Sequence, residues 1–332
     1  MGIPPTVVVT GASAGLGRAI AHAFAEKKSR VGLIARDRDA LDRTTEEVER
    51  LGGKSAVVAA DVSDDAAVES AAAAIEERLG PIDVWVNNAM VSVFSPVREM
   101  EAKEYRRVTE VNYLGCVHGT LAALRRMLPR DCGCIIQIGS ALAFRSIPLQ
   151  SAYCASKHAI VGFTDSLRCE LYHDNSNVKL TVVHMPAMNT PQFTWVKSRL
   201  SRLPQPVPPI YEPEVGARMV VHAALSPSPR REYWVGGSTV KAILGQKVAP
   251  GLLDAYLGRT GYDAQQREEE DSPDRPYNLW RPVTNGFETH GPFDKQSRPF
   301  SLEAQFSRHR VWFALGLGVL GAYLALRRSF SA

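Results

Sequence analysis

The feature of this sequence that most constrains its fold is a regular alternation of short, β-branched apolar runs with helix-length amphipathic segments, from Thr6 to about Gly236. Such an alternation predicts βα units that wind a parallel sheet. Parallel strands need crossover connections and bury both faces, so helices should cover both sides. The sequence therefore predicts a doubly wound α/β fold with seven parallel strands, at Val7–Thr10, Val31–Ala35, Ala56–Ala59, Val84–Val86, Ile135–Ile138, Leu180–His184 and Tyr233–Val235.

The composition and charge of the chain exclude several classes of protein. Apolar residues make up 45% of the 332 residues and charged residues 22%, which excludes disorder and a polytopic membrane protein for the bulk of the chain. A net charge of +4 without a basic stripe does not indicate nucleic-acid binding. The five cysteines are odd in number and have no second Cys/His pair at zinc spacing, so neither a disulfide framework nor a metal site is expected. We expect a small-molecule ligand and, because no basic and apolar leader precedes the first strand, a cytoplasmic location for the body of the chain.

A glycine-rich turn directly follows the first predicted strand and leads into a helix-forming stretch from Arg18 to Lys27. A Cβ on its glycines would obstruct the turn, the approach of a pyrophosphate, or the packing of the helix on the strand. The free N–H groups at the start of the helix attract phosphate. A glycine triplet alone is weak evidence, but this position between strand and helix makes it a strong indication of dinucleotide binding. The residues predicted to hold the cofactor here are Gly11, Ser13, Gly15, Leu16 and Gly17.

A second group of residues has the chemistry of acid–base catalysis. Tyr153 and Lys157 are four residues apart at the start of a predicted helix, so both side chains leave the same face. A phenol with a pKa near 10 is a poor catalyst at pH 7, and a lysine cation within about 4–6 Å lowers that pKa. Ser140 ends the fifth predicted strand, where its hydroxyl can hydrogen-bond a substrate carbonyl and the charge that develops on its oxygen.

With these motifs, residues 6–240 resemble the short-chain dehydrogenase/reductase family. The glycine spacing is Gly-x-x-x-Gly-x-Gly, and Tyr153-Cys-Ala-Ser-Lys157 begins thirteen residues after Ser140. Asn87-Asn88-Ala89 resembles the Asn-Asn-Ala-Gly element of the family, although Met90 replaces the glycine, and Asn112 matches its helix asparagine. The resemblance implies a Rossmann-type single catalytic domain. The family often forms dimers or tetramers through the helices that contain Asn112 and Tyr153, so the resemblance allows a homo-oligomer and leaves the oligomeric state open.

The resemblance implies a role for each catalytic residue. Tyr153 would be the general acid in reduction and the base in oxidation, and Ser140 would hold the carbonyl. Lys157 would bind the nicotinamide ribose and tune Tyr153. Asn112 would hold a water in a proton relay.

The resemblance also extends the cofactor site to Asn88 and Ala89 and to two further stretches. Asp61-Val62 matches the pair that contacts adenine, but Asp61 or Ser63 would serve equally well as a cap of the next helix. Thr190 follows the sixth strand, where the family has a threonine that meets the nicotinamide carboxamide, although Ala187 departs from the usual Pro-Gly. The alternative is that Thr190 caps a helix that begins near Pro191.

The end of the second strand bears on the choice of cofactor. An acidic residue there would accept hydrogen bonds from the ribose 2′-hydroxyl, whereas an arginine attracts a 2′-phosphate. Arg36 has that place, Arg38 could add charge, and Asp37 stands between them. The sequence therefore favours NADP over NAD.

The proline-rich stretch 197–213 is predicted to be a loop on the ligand-binding side of the sheet. It either shapes a substrate pocket or is a plain surface connection.

Composition divides the chain into three parts. Residues 1–260 are predicted to form the dinucleotide-binding catalytic domain, and residues 261–310 a polar, extended and partly disordered arm. Residues 311–326 carry no charge, and as a helix they would span about 24 Å of a hydrocarbon core of about 30 Å. Flanking arginines fit a membrane anchor that snorkels to close the gap. The alternative is a buried C-terminal helix that packs on the domain or on a second subunit.

The sequence as a whole predicts an NADP-dependent oxidoreductase that interconverts a carbonyl and an alcohol. An anchor at 311–326 would bring it to lipophilic substrates at a bilayer. Two alternatives stay open: an epimerase or dehydratase that uses the same tyrosine, and a non-catalytic interaction protein that keeps the nucleotide fold.

Overall fold

The computed structural model describes residues 4–308 and contains the predicted doubly wound α/β fold. All seven sheet strands are parallel to their neighbours, in the order β7-β6-β5-β4-β1-β2-β3. Six predicted strands lie within the observed ones, and the last is offset by one residue. The observed strands are β1 Thr6–Thr10, β2 Arg30–Ala35, β3 Lys54–Ala59, β4 Val84–Asn87, β5 Cys134–Ser140, β6 Lys179–Met185 and β7 Glu232–Trp234.

Helices cover both faces of the sheet, because successive strand residues point to opposite sides. Val7 and Val9 pack in one core layer with α1, α2 and α8, whereas Val8 packs in the opposite layer with α3, α5 and α6. The helices are α1 Gly15–Ala25, α2 Arg38–Arg50, α3 Asp65–Leu79, α4 Ala102–Thr109, α5 Gly115–Met127, α6 Ser151–His173, α7 Gln192–Trp195, α8 Pro213–Leu225, α9 Gly237–Val248 and α10 Pro250–Thr260.

The parallel register brings the carboxyl ends of the strands to one edge of the sheet. The chain reverses order between β1 and β4, since β2 lies on one side of β1 and β4 on the other. Crevices at such a reversal are where open α/β sheets bind ligands. The glycine-rich turn after β1 and the asparagine pair at the end of β4 meet there.

The segment after α10 lies against the catalytic domain. Its residues 271–296 contain almost no helix or strand, yet Leu279 and Phe293 are fully or nearly fully buried. The Arg107 guanidinium donates a hydrogen bond to the Leu279 carbonyl at 3.0 Å. The division of the chain into domain, arm and tail stays a prediction, and the apolar run 311–326 lies outside the described residues. Within residues 4–308, no helix has both the length and the apolar character needed to cross a membrane.

Replacing Leu279 with alanine tests whether this segment is part of the folded unit. The side chain is 0% exposed and belongs to the core layer of α3, α5 and α6. Leu279→Ala should lower the free energy of unfolding by about 2–5 kcal/mol, because it leaves a cavity. Urea unfolding followed by circular dichroism measures this. Val97→Ala, at a side chain that is 64% exposed, is the control; equal stability of both variants would contradict the packing described.

Candidate active site

The glycine-rich turn is shaped by two close approaches of backbone and by a left-handed conformation at Gly15. A Cβ on Gly17 would overlap the Gly11 carbonyl, so α1 packs directly on the end of β1. A Cβ on Gly11 would lie 2.8 Å from the Ala89 Cα. Gly15 has φ +54°, in the left-handed region that favours glycine. Each predicted glycine therefore meets a distinct steric requirement, and the turn leaves an open cradle beside the start of α1.

Asn88 and Thr10 join the ends of β1 and β4. The Asn88 side-chain amide donates to the Thr10 carbonyl at 2.9 Å and to the Gly11 carbonyl at 3.3 Å. The Thr10 hydroxyl accepts from the backbone N–H groups of Asn88 and Ala89. These hydrogen bonds of Asn88 hold the backbone of the turn in place, and the following residues Ala89 and Met90 line the cavity.

Arg36 lies at the wall of this cavity, where the sequence places it. One of its terminal nitrogens donates to the Asn278 carbonyl at 2.5 Å. Its other terminal nitrogen, Nη1, is buried and has no hydrogen-bond partner among the described residues. Burial lowers the pKa of Arg36 from its ordinary value. A buried cationic nitrogen without a partner is a place for an anion.

The neighbours of Arg36 are already engaged. The Asp37 side chain accepts from the Ala40 N–H and caps α2. Arg38 is exposed and pairs with Asp42 at 2.9 Å. The Arg38 guanidinium therefore pairs with Asp42 and does not add its charge to the site, and the Asp37 carboxylate caps α2.

Asp61 and Val62 line the cavity next to Arg36. Asp61 accepts from the Arg107 guanidinium at 2.5 Å and from the N–H and hydroxyl of Ser63. Burial would raise the pKa of Asp61, but the hydrogen bonds from Arg107 and Ser63 outweigh it and hold the pKa below its ordinary value. The helix-cap alternative is wrong, because Asp64 caps α3.

Ser140, Tyr153 and Lys157 come together in the same cavity wall. Ser140 ends β5, and its hydroxyl oxygen accepts from the Leu142 N–H at 3.1 Å and hydrogen-bonds Tyr153. The ammonium of Lys157 donates to the Ile138 carbonyl at 2.7 Å and lies 5.6 Å from the centre of the Tyr153 ring. The four-residue spacing on α6 therefore places both side chains beside the end of β5.

Burial dominates the electrostatics of this group. It raises the pKa of Tyr153 to about 12, although the hydrogen bond with Ser140 acts in the opposite direction. It also lowers the pKa of Lys157 to about 8. The expected lowering of the Tyr153 pKa by Lys157 is not found in this structure, because desolvation of the phenolate raises that pKa and only the hydrogen bond with Ser140 acts against it. Tyr153 is thus a protonated phenol at neutral pH.

Asn112 lies behind the cavity wall rather than in it. It is in a π-helical turn, Glu110–Leu114, and its neighbour Val111 lines the cavity. Its side chain exchanges two hydrogen bonds with the Val91 backbone and donates a third to Ser156 at 3.1 Å. π-turns of this kind are frequent at functional sites. The water relay implied by the resemblance stays a prediction.

The cavity has a volume of about 620 Å³ and combines all these groups. Thr190 lines it beside the glycine turn, and the alternative cap role is wrong because Pro191 occupies the N-cap of α7. The proline-rich loop also contributes lining residues, so it shapes the pocket. Other apolar residues of the catalytic domain that line the cavity are Leu142, Ile147, Phe193, Trp195, Val207, Leu253 and Leu257.

The segment after α10 contributes residues that sequence reasoning did not find. Asn278, Pro282, Val283 and Phe287 line the cavity near Arg36. The Gly15 N–H donates to the Glu288 carbonyl at 3.0 Å. Backbone carbonyls give no sequence signal. The available signal was the presence of isolated large apolar residues such as Leu279 and Phe287 in an otherwise polar stretch.

Arg18 and Arg107 were also missed. Arg18 donates to the Phe287 carbonyl and to Glu47, and Arg107 joins Asp61 to Leu279. Both arginines are nearly buried, Arg18 on α1 and Arg107 on α4. They tie the segment after α10 to the glycine turn and to Asp61.

The residues present fit a nicotinamide dinucleotide. The glycine cradle beside the start of α1, the orphaned nitrogen of Arg36 and the Ser140, Tyr153 and Lys157 group all border one cavity. The cradle and Arg36 fit the phosphates of such a cofactor. The hydroxyls of Ser140 and Tyr153 fit a substrate carbonyl that lies beside its nicotinamide.

Comparison with known sequences gives the same assignment. A sequence model of the short chain dehydrogenase family matches residues 5–199. An uncharacterized oxidoreductase, YxnA of Bacillus subtilis, is 32% identical over 269 residues, which are 80% of this chain and 75% of that protein. The mouse dehydrogenase/reductase SDR family member 7B is 39% identical over 184 residues, which are 53% of this chain and 55% of that protein.

Solved structures agree with the sequence matches. A short-chain dehydrogenase from Streptomyces avermitilis superposes with a TM-score of 0.65 at 25% identity, over 80% of this chain and 98% of that one. A metagenomic short-chain oxidoreductase in complex with NADP superposes with a TM-score of 0.59 at 29% identity, over 70% and 96%. The chain belongs to the short-chain dehydrogenase/reductase family of oxidoreductases.

Proposed function

We propose that this protein is an NADP-dependent carbonyl reductase, or alcohol dehydrogenase in the reverse direction. The observation that carries the proposal is that Ser140, Tyr153 and Lys157 line the same cavity as the glycine cradle and Arg36. Tyr153 is the phenol in the lining of the described cavity that hydrogen-bonds Ser140. A carbonyl bound beside Ser140 therefore also lies next to Tyr153.

The protein's own residues handle the oxygen of the substrate. When bound, the nicotinamide supplies a hydride to the carbonyl carbon or accepts one from the alcohol. Ser140 donates a hydrogen bond to the substrate oxygen, and Tyr153 gives that oxygen its proton in reduction. Lys157 places a positive charge next to the phenolate that remains. The raised pKa of Tyr153, about 12, keeps it protonated at neutral pH and favours the reductive direction.

The preference for NADP rests on Arg36. Its buried Nη1 has no partner among the described residues, and a 2′-phosphate would supply one. Two structural relatives, the metagenomic oxidoreductase with NADP and an alcohol dehydrogenase from Thermococcus sibiricus with 5-hydroxy-NADP, contain this type of cofactor. The second superposes with a TM-score of 0.61 at 25% identity, over 70% of this chain and 96% of that one.

A lipophilic substrate fits the walls of the pocket. On the side of the cavity away from Arg36, the lining is mostly aliphatic, aromatic or proline, with Arg145 and Lys241 as cationic exceptions. Burial of apolar substrate surface there contributes about 25 cal/mol per Å². We include a membrane contact through 311–326 in the proposal as the source of such a substrate.

Replacement of Tyr153 by phenylalanine should lower kcat/KM for ketone reduction by at least about 100-fold, because it removes the proton donor. NADPH binding, followed by fluorescence titration, should stay within about twofold. Tyr105→Phe is the matched control, since the Tyr105 hydroxyl bonds Ser151 outside the cavity. Turnover that survives in the Tyr153 variant would refute the mechanism.

The pH dependence should differ between the two directions. Reduction needs a protonated Tyr153, so kcat/KM should be flat from about pH 6 to 8 and decline above about 8 as Lys157 loses its proton. Oxidation needs the phenolate, so its rate should rise with pH toward the Tyr153 pKa of about 12. Steady-state rates at 340 nm in both directions measure this. A reduction rate that increases with pH would contradict the assignment of Tyr153 as the acid.

Arg36→Leu should raise the Kd of NADPH by about tenfold or more, since it removes a charge-assisted hydrogen bond to the 2′-phosphate. The Kd of NADH should change by less than about twofold. Arg38→Leu, at an exposed arginine paired with Asp42, serves as control and should leave both constants unchanged. Equal losses for NADPH and NADH in the Arg36 variant would argue that the residue is only structural.

A further inference from the structure

Helix α10 presents large apolar side chains that the described part of the protein does not cover. Within that part of the chain, none of the 11 residues of α10 is buried. Leu252 is 75% exposed and Tyr256 is 61% exposed. An exposed single apolar residue is ordinary, but on α10 only Leu253 and Leu257 are half-buried, and the other large apolar side chains of this helix are exposed.

The exposed apolar surface continues onto the neighbouring helix. On α9, Val248 is 83% exposed and Leu244 is 50% exposed. Leu302, which is 73% exposed, shares a surface pocket with Val240 of α9. We name Leu244, Val248, Leu252, Tyr256 and Leu302 the apolar face. A contiguous apolar surface of this kind indicates a site of protein or membrane contact.

The charges on α9 and α10 favour a membrane over a protein as the surface that contacts the apolar face. Apart from Asp254, the helices α9 and α10 have no acidic residue. Asp254 pairs with Arg145 at 2.6 Å. Lys241, Lys247 and Arg259 are exposed. Apolar side chains bordered by lysine and arginine match the interfacial region of a bilayer with anionic headgroups.

The position of the apolar face also points to a membrane. The described chain reaches Arg308 a few residues after Leu302, and the sequence continues into the uncharged run 311–326 between arginines. A membrane contact made by that run would therefore begin only a few residues along the sequence from Leu302, which belongs to the apolar face. Leu253, Tyr256 and Leu257 of α10 also line the substrate end of the cavity.

We propose that the apolar face of α9 and α10 docks on an anionic lipid bilayer, and that the cavity opens to that bilayer through α10. A lipophilic carbonyl dissolved in the membrane then enters past the side chains of Tyr256 and Leu257, which line the cavity, without crossing water. The statement about substrate entry rests on the proposed reductase function. The statement about docking does not, and it is tested without turnover.

The test places an environment-sensitive fluorophore on the face in the full-length chain. Cys132 and Cys169, the exposed cysteines, are first replaced by serine, and NBD is attached at Leu252→Cys. The matched control carries NBD at Tyr172→Cys, which is 76% exposed at the far end of α6. Vesicles of phosphatidylcholine with 30% phosphatidylglycerol should raise the emission at position 252 severalfold, and nitroxide-labelled lipid should quench it. Position 172 should not respond.

Three outcomes would overturn the docking proposal. The protein could sediment with vesicles while position 252 stays as unresponsive as position 172, which would assign binding to 311–326 alone. Position 252 could respond to protein concentration without vesicles, which would indicate a second copy of the chain. Lys247→Glu with Arg259→Glu could leave the response to phosphatidylglycerol unchanged, whereas we expect at least a fivefold loss.

Substrate entry is measured separately. The double variant Val248→Glu with Leu252→Glu should lower the reduction rate of a long-chain aldehyde held in vesicles by at least about fivefold. Its rate with a small water-soluble aldehyde should stay within about twofold of the unmodified protein. Equal rates for both aldehydes would refute entry from the membrane, and a wild-type protein inactive on every carbonyl would refute the proposed function instead.

Discussion

The contact between Gly17 and the Gly11 carbonyl is the constraint on which the rest of the site depends. It allows α1 to pack directly on the end of β1, so that the N-terminus of that helix points into the crevice between β1 and β4. Asn88 holds the same turn from the other side through the carbonyls of Thr10 and Gly11. Any Cβ at position 17 would displace the helix, and with it the N–H groups that make an anion site. The cofactor cradle is therefore a consequence of close packing rather than of a dedicated set of side chains.

Burial decides the protonation of Tyr153 and Lys157, the proposed acid–base group. Spacing along α6 brings the Lys157 ammonium near the Tyr153 ring, and from proximity alone the tyrosine would become more acidic. In this structure desolvation of the phenolate is the largest effect on the Tyr153 pKa, and the hydrogen bond with Ser140 only partly offsets it. Both groups move toward their neutral forms, with pKa values of about 12 and about 8. A buried phenol of this kind is a proton donor that is not lost to solvent at neutral pH.

The segment after α10 forms the wall of the cavity beside Arg36. Its carbonyls accept hydrogen bonds from Arg18, Arg36 and Arg107, and Leu279 is buried in the core. This segment lies beyond residues 5–199, which the family model matches. One end of the cavity is consequently closed by this segment beside Arg36, and the other is bordered by α9 and α10.

Local patterns in the sequence were enough to predict the sheet, the glycine turn and the candidate acid–base residues. Strands and helices follow from periodicity, and Gly11, Ser140, Tyr153 and Lys157 stand at fixed offsets from strand ends. The environment of those residues depends instead on the folded chain. The pKa of Tyr153 and the orphaned nitrogen of Arg36 depend on burial, and Asp61 pairs with Arg107, which is 46 residues away in the chain. Backbone carbonyls such as that of Asn278 give no sequence signal, and desolvation is a property of the packed core, so neither could be predicted before the chain was folded.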